Sequence, residues 1–133
     1  MTARTLKLVS RLLWACLGVY VCTLVYLTHA PAPPGVFGGV SDKKLHVIAY
    51  FLLATFSYIA AAVSFPHTKQ LGMIVLFLGG IFGALDESTQ PFFNRHAEFA
   101  DWVADIAGLT LGVIACALVR RVTRAIARLI AAR

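Results

Sequence analysis

Four apolar runs, each close to the length that crosses a lipid bilayer, constrain what this chain can fold into. They cover residues 12–28, 45–65, 70–87 and 102–119. A transmembrane helix needs about 20 mostly apolar residues to cross the hydrocarbon. Hydrophobic residues make up 59% of the chain and charged residues 14%, whereas soluble domains have about half and a quarter. The sequence therefore predicts one all-α membrane domain over residues 1–133, a bundle of four transmembrane helices.

The first apolar run also allows a second interpretation. A basic start, an apolar middle and the sequence "THA" at 28–30 are features of a cleaved signal peptide. The residue that follows is Pro31, which is poorly suited to follow a cleavage point. We therefore expect this segment to remain in the protein as a helix.

Lysine and arginine gather at the two ends of the chain. The sets are Arg4, Lys7 and Arg11 at the amino end, and Arg120, Arg121, Arg124, Arg128 and Arg133 at the carboxyl end. Four spans place both termini on one side of the membrane, and the positive-inside rule makes that side cytoplasmic. Because these charges flank apolar segments, the net charge of +6 indicates a lipid bilayer as partner and no nucleic acid.

The carboxyl-terminal residues, 120–133, form a basic amphipathic tail. Its apolar side chains, Val122, Ile126, Leu129 and Ile130, fall opposite its arginines. Such a segment is typical of an interfacial helix held on anionic lipid. A solvated basic end that only sets the topology is an equally good interpretation.

Acidic residues, in contrast, concentrate in one place. Five of the six carboxylates fall within residues 83–105, and the predicted topology puts all six at the outer ends of helices. Three stretches carry polar residues at helical spacing: Asp42, His46 and Tyr50; Asp86, Glu87 and Gln90; Glu98, Asp101 and Asp105. Residues three or four apart share a helix face. The sequence therefore predicts a polar site where the second, third and fourth spans reach the outer membrane face.

Two of these carboxylates are electrostatically unusual. Asp86 and Glu87 stand at the carboxyl end of a helix, where the helix dipole is already negative. They need a counterpart, which could be Arg95, Lys43, His46, a bound cation or a proton. Placing a charged group inside the bilayer costs free energy, so an ionisable residue there is by default expected to have a function.

Paired glycines predict how closely the spans approach. Gly79 and Gly83 in the third span, and Gly108 and Gly112 in the fourth, are each four residues apart. Small residues at this spacing let membrane helices pack backbone to backbone. We expect the third and fourth spans to meet closely beneath their carboxylates.

The polar pattern resembles the VanZ-like family of small bacterial membrane proteins. The segments that carry the resemblance are "DKKLHVIAY" at 42–50, "DESTQ" at 86–90 and "RHAEFADWVADIAGLTLG" at 95–112. The residues that fill the family's slots are Asp42, Lys43, His46, Tyr50, Asp86, Glu87, Gln90, Arg95, Asp101, Asp105, Gly108 and Gly112. One departure is Asn94, where the family often has glycine. The first span matches only as a generic helix.

The resemblance implies a four-helix protein of the bacterial cytoplasmic (inner) membrane. The ten polar residues among those slots, from Asp42 to Asp105, are the candidate ligand-binding residues of this chain. The family's named member contributes to teicoplanin resistance, but no mechanism is settled for the family. For this chain a housekeeping role in the cell envelope is the expectation.

Three classes of function remain open at this point. In the first, the polar site binds an envelope component, either a lipid-linked precursor head group or a partner protein. Lys43 and Arg95 would then contact phosphate, for which arginine is the better bidentate ligand.

In the second class the protein is a metal-dependent hydrolase or transferase acting on a lipid head group. Asp86, Glu87, Asp101 and Asp105 offer oxygen ligands for Mg²⁺ or Mn²⁺. The candidate catalytic residues are His46, as general acid or base, with Asp86, Glu87 and Asp101. No nucleophile motif accompanies them, so the sequence leaves open whether the protein is an enzyme.

In the third class the polar residues serve structure alone. Interhelical ion pairs, such as Arg95 with Asp101 or Lys43 with Glu87, would then hold the outer end of the bundle together. Glu98 would be no more than part of a solvated helix face.

Overall fold

Four long helices account for almost all of the chain that a computed structural model describes, residues 2–30 and 41–132. They are α1 (Ala3–His29), α2 (Asp42–Ser64), α3 (Leu71–Thr89) and α4 (Phe99–Ala131), with a short 3₁₀ helix (Gln90–Phe93) after α3. The described residues contain no β-strand. Each long helix is long and apolar enough to cross a membrane. The prediction of an all-α chain with four helices of transmembrane length is confirmed.

The helix boundaries differ from the prediction mainly at the two chain ends. α1 begins at Ala3 rather than at residue 12, because the polar residues of its first turns also adopt the helical conformation. α3 ends at Thr89, and Pro91 falls within the 3₁₀ helix that follows. Pro31 and the rest of the loop at 31–40 lie outside the described residues, as does Arg133.

The basic tail is helical and continuous with the fourth transmembrane helix. Residues up to Ala131 continue α4, a helix of 33 residues, because neither glycine nor proline interrupts the sequence after the apolar run. At 1.5 Å per residue this helix is about 50 Å long, against about 30 Å of hydrocarbon. The guanidinium groups of Arg120 and Arg124 donate to the Pro66 carbonyl oxygen, at 2.7 Å and 3.1 Å.

Helix α2 is central and packs most extensively against α4, and also against α1 and α3. α1 and α3 end, and α2 and α4 begin, at one end of the bundle, which we call the polar end. At the opposite end the Ser64 hydroxyl hydrogen-bonds with the Ser10 hydroxyl and accepts from Trp14 Nε1, both on α1. Large apolar side chains such as Val19 and Phe77 remain exposed around the outside, as a lipid-facing surface requires.

The glycines of α4 face α2, which corrects the expectation that they face α3. A β-carbon at Gly108 would overlap the Val47 carbonyl oxygen, and one at Gly112 would lie 2.7 Å from the Phe51 carbonyl oxygen. The closest backbone approach is therefore between α2 and α4. A different row of α4, containing Asp105 and Leu109, faces α3.

The glycines of α3 do face α4, as predicted. A β-carbon at Gly79 would meet the Leu109 side chain at 2.6 Å, and one at Gly83 would lie 3.2 Å from Asp105 Oδ2. α3 and α4 thus approach through glycines of α3 that pack against side chains of α4.

Candidate functional site

Polar residues of α2, α3, the 3₁₀ helix and α4 meet at the polar end, inside the bundle. Their relative exposures are 8% or less: His46 and Tyr50 on α2, Asp86 and Glu87 on α3, Gln90 in the 3₁₀ helix, and Asp101 and Asp105 on α4. The helical spacings seen in the sequence place each set on an inward face. We call these seven residues the polar cluster.

His46 and Asp105 form the centre of the polar cluster. His46 Nδ1 lies 2.8 Å from Asp105 Oδ1 and 3.9 Å from Glu87 Oε1. The side chains of all three residues are at most 9% exposed. A single imidazole therefore hydrogen-bonds a carboxylate of α4 and lies near a carboxylate of α3.

Glu87 is held by two donors from the chain that follows it. Gln90 Nε2 donates to Glu87 Oε1 at 3.0 Å, and the backbone N–H of Glu98 donates to Glu87 Oε2 at 3.2 Å. The first contact explains why glutamine stands three residues after Glu87, and the second ties the loop before α4 back to α3. These contacts orient the carboxylate towards His46.

Asp86 turns away from this centre and contacts α1. The Thr28 hydroxyl donates to Asp86 Oδ1 at 2.9 Å, and His29 Nδ1 lies 3.7 Å from the same oxygen. His29 Nε2 also lies 2.9 Å from Thr89 Oγ1. The sequence does not predict Thr28 and His29 as site residues, because the first span matches the family only as a generic helix. Their position at the end of α1, which the topology puts beside the carboxylates, was the available signal.

Lys43 makes ion pairs, but not the one suggested from the sequence. Its Nζ lies 2.9 Å from Glu98 Oε2 and 3.1 Å from Asp101 Oδ1, because the first turn of α2 lies beside the first turn of α4. Glu98 thus has an ion-pair partner as well as a solvated face. The Lys43 ammonium, chiefly through its hydrogen bond, lowers the pKa of Glu98 below the ordinary value of 4.5.

The suggested pairs of Lys43 with Glu87 and of Arg95 with Asp101 are not found within residues 2–30 and 41–132. Arg95 is half-buried in the turn after the 3₁₀ helix, where its backbone N–H donates to the Gln90 carbonyl oxygen. Asn94, just before it, has a φ of 57°, in the left-handed region that glycine and asparagine tolerate best.

Three oxygen atoms in the polar cluster have no hydrogen-bond partner among the described residues. They are the Tyr50 hydroxyl, Asp86 Oδ2 and Asp105 Oδ2, all buried. Buried polar atoms are normally paired, and each exception calls for an explanation. Gly83 lies beside one of these oxygens and beside the Tyr50 ring, since a β-carbon there would be 3.2 Å from both Asp105 Oδ2 and Tyr50 Cε1.

The ligand set expected for a metal is not the one that the fold assembles. Asp86, Glu87, Asp101 and Asp105 do not converge as a group, because Asp86 faces α1 and Asp101 faces Lys43. In the described part of the chain two groups bring potential ligand atoms within 4.8 Å of one another: His46 with Glu87 and Asp105, and His46 with Asp42 and Asp101. His46 belongs to both groups.

An apolar groove adjoins the polar cluster. It has a volume of about 460 Å³ and runs between α1 and α3 over the surface of α2. Trp14 and Phe65 line it at the end away from the polar cluster, and Phe82 lines it at the near end. The ring centroid of Phe82 is 6.2 Å from that of Tyr50, so one lining side chain of the groove neighbours the polar cluster.

Four apolar helices with a buried polar cluster at one end define a multi-pass membrane protein that resides in a lipid bilayer. Comparison with protein-family models, with curated proteins and with solved structures found no match to the chain.

Proposed function

We propose that the chain is a VanZ-like protein of the bacterial cytoplasmic membrane that binds a lipid-linked component of the cell envelope. The convergence of the family's polar slots at one end of the bundle supports the family assignment. So does Asn94, whose left-handed φ of 57° suits a position where the family often has glycine.

The proposed topology has both termini in the cytoplasm and the polar end at the extracytoplasmic face. The amino-terminal turns of α1 and the carboxyl-terminal turns of α4 lie at the end opposite the polar cluster. Both carry basic residues, and the positive-inside rule assigns such an end to the cytoplasm.

A lipid is the proposed ligand because the apolar groove and the polar cluster are neighbours. The contact of Phe82 with Tyr50 is the single observation that carries this choice. An acyl chain would lie in the groove between α1 and α3, which opens towards bilayer lipid through exposed Ile74 and Leu78. The head group would then reach the polar cluster.

Arg95 is the proposed contact for a phosphate of the head group. It is half-buried, and among the described residues its side chain has no ion pair that a ligand would have to break. Lys43 is already shared between Glu98 and Asp101, so it would contribute less. Arg95→Ala should weaken binding and leave the thermal midpoint unchanged.

Native mass spectrometry of the full chain released from its own membrane tests this proposal. Ser57 lines the groove, so Ser57→Trp should fill the groove and remove the retained lipid. Ile81→Trp is the matched control, because Ile81 is 45% exposed on the outside of α3. It should retain the lipid as wild type does. Equal retention by Ser57→Trp, or no lipid on wild type, rejects the proposal. If the retained lipid is a bulk phospholipid, the proposal that the ligand is an envelope precursor is rejected.

A metal-dependent hydrolase or transferase is the second candidate function. The contact of His46 with carboxylates of two other helices favours it, since a buried imidazole–carboxylate pair can transfer protons. Turnover of a lipid phosphate by purified wild type, lost in His46→Gln, is the expected result for an enzyme. If the protein with bound lipid and added Mn²⁺ shows no turnover, lipid binding remains as the proposed function and the enzyme is rejected.

A further inference from the structure

Three buried side chains from three helices bring one nitrogen and two oxygen atoms together at the polar end. We infer that His46, Glu87 and Asp105 bind one divalent transition-metal ion, Zn²⁺ or Mn²⁺. This site goes beyond lipid binding and does not depend on it.

The distances suit a metal ion. Ligand atoms about 2.1 Å from zinc, in tetrahedral or octahedral arrangement, lie roughly 3 to 3.5 Å apart. The distances from His46 Nδ1, 2.8 Å to Asp105 Oδ1 and 3.9 Å to Glu87 Oε1, bracket this range. Small rotations of the two carboxylates would equalise them.

Unpartnered atoms beside these ligands give a second, independent indication. Asp105 is fully buried, yet its Oδ2 has no hydrogen-bond partner among residues 2–30 and 41–132. The buried Tyr50 hydroxyl also has no hydrogen-bond partner there, and the edge of the Tyr50 ring at Cε1 lies beside Gly83, as Asp105 Oδ2 does. A bound cation would use the second Asp105 oxygen directly or through a water.

Charge also favours a cation at this position. Four carboxylates are buried in the polar cluster, and among the described residues the one lysine within ion-pair distance of them, Lys43, pairs with Asp101. Burying an ionised carboxylate without a counter-charge is costly. One divalent ion would offset the charges of Glu87 and Asp105.

The choice of metal follows from the donor atoms. Imidazole suits zinc and other first-row transition metals, and carboxylates suit manganese and magnesium. The presence of His46 therefore favours Zn²⁺ or Mn²⁺ over the Mg²⁺ that an all-oxygen set would take.

The alternative group, His46 with Asp42 and Asp101, is the weaker site. Asp42 is exposed, and Asp101 already accepts from Lys43 at 3.1 Å. Glu87, in contrast, is oriented by Gln90 and by the Glu98 backbone, as metal-binding carboxylates usually are.

Metal titration of chelator-treated full-length protein in nanodiscs tests the site. Wild type should bind one equivalent of Zn²⁺. His46→Gln, Glu87→Gln and Asp105→Asn should each lose saturable binding, and Gln90→Leu should weaken it about 10- to 100-fold. Glu98→Gln is the control, because its side chain faces Lys43 and its backbone N–H is retained. It should bind zinc as wild type does.

A measurement on wild type needs no variant that could fail to fold. With one equivalent of Mn²⁺ bound, pulsed electron paramagnetic resonance should detect coupling to one imidazole nitrogen. No saturable metal binding, or bound Mn²⁺ without nitrogen coupling, overturns the inference. So does loss of binding in Asp42→Asn and Asp101→Asn with binding retained in Glu87→Gln. Lipid retention in the mass spectrum is scored separately, so the two proposals can fail independently.

Discussion

His46 and Asp105, 59 residues apart in the chain, place Nδ1 and Oδ1 2.8 Å from each other across the interface of α2 and α4. Gly108, one turn further along α4, packs against the Val47 carbonyl oxygen of α2. The close backbone approach and the buried polar contact thus belong to the same helix pair. Any change that separates α2 from α4 should disturb both.

Removing the acidic partner should destabilise the bundle. Asp105→Leu leaves His46 without its 2.8 Å partner in a buried position, and breaking a buried pair by removing one member costs about 3–5 kcal/mol. Unfolding of the variant in mixed micelles, followed by circular dichroism, measures the loss. Glu98→Gln removes a carboxylate that is 56% exposed and should change stability by less than about 1 kcal/mol. Equal losses in the two variants would contradict a structural role for the His46–Asp105 contact.

A methyl group at Gly108 should force α2 and α4 apart. Its β-carbon would overlap the Val47 carbonyl oxygen and lie 2.9 Å from the Phe51 nitrogen, which are backbone atoms that cannot move aside. Overpacking of this kind costs about 1–3 kcal/mol, measurable as a lower thermal midpoint for Gly108→Ala. Gly18→Ala, with no heavy atom within 4 Å of the new carbon, should be neutral or stabilising. A neutral Gly108→Ala would refute the close α2–α4 approach.

The ion pair at the start of α4 should be sensitive to pH. Lys43 lowers the pKa of Glu98 in the folded protein from its ordinary value of 4.5. The stability that this pair adds is therefore complete above pH 4.5 and is lost as the pH falls through the lower, folded pKa. Carbon-13 NMR titration of Glu98 should report a higher pKa in Lys43→Gln than in wild type. Concentrated salt should reduce the difference, because the pair is exposed. The same pKa in both proteins would show that Lys43 and Glu98 do not pair.

The proposed orientation predicts which residues a membrane-impermeant thiol reagent can reach. In a cysteine-free background, His96→Cys should be labelled from outside the cell, since residue 96 lies in the exposed loop before α4. Ala132→Cys, at the end of α4, should be labelled only after the membrane is opened. The reverse labelling pattern would show that the proposed topology is wrong and that the polar end faces the cytoplasm.

Much of the fold followed from local properties of the sequence. Apolar runs of transmembrane length predicted four helices because an unpaired backbone cannot cross hydrocarbon. Helical spacing put His46 on a face with Tyr50, and Asp101 on a face with Asp105, and both pairs are buried. These inferences needed no knowledge of the partners, since the periodicity of a helix is a property of one segment.

Pairing between helices was predicted less well. The glycines of α4 were assigned to α3 but face α2, because spacing along a helix does not say which neighbour its small residues meet. Lys43 pairs with Glu98 and Asp101 rather than Glu87 for the same reason. The part that α1 takes in the site, through Thr28 and His29, was missed because a threonine and a histidine at a helix end carry no periodic signal.

The sequence by itself determined the class of protein, the number of spans and the end of the bundle at which polar residues gather, because hydrophobicity, charge and helical period act within each segment. Only the tertiary structure decided that Glu87 and Asp105 face His46 while Asp86 faces α1 and Asp101 faces Lys43. That division depends on how each helix is rotated about its axis against its neighbours. Packing sets the rotation, and the close approach of α2 and α4 at Gly108 and Gly112 is its main constraint.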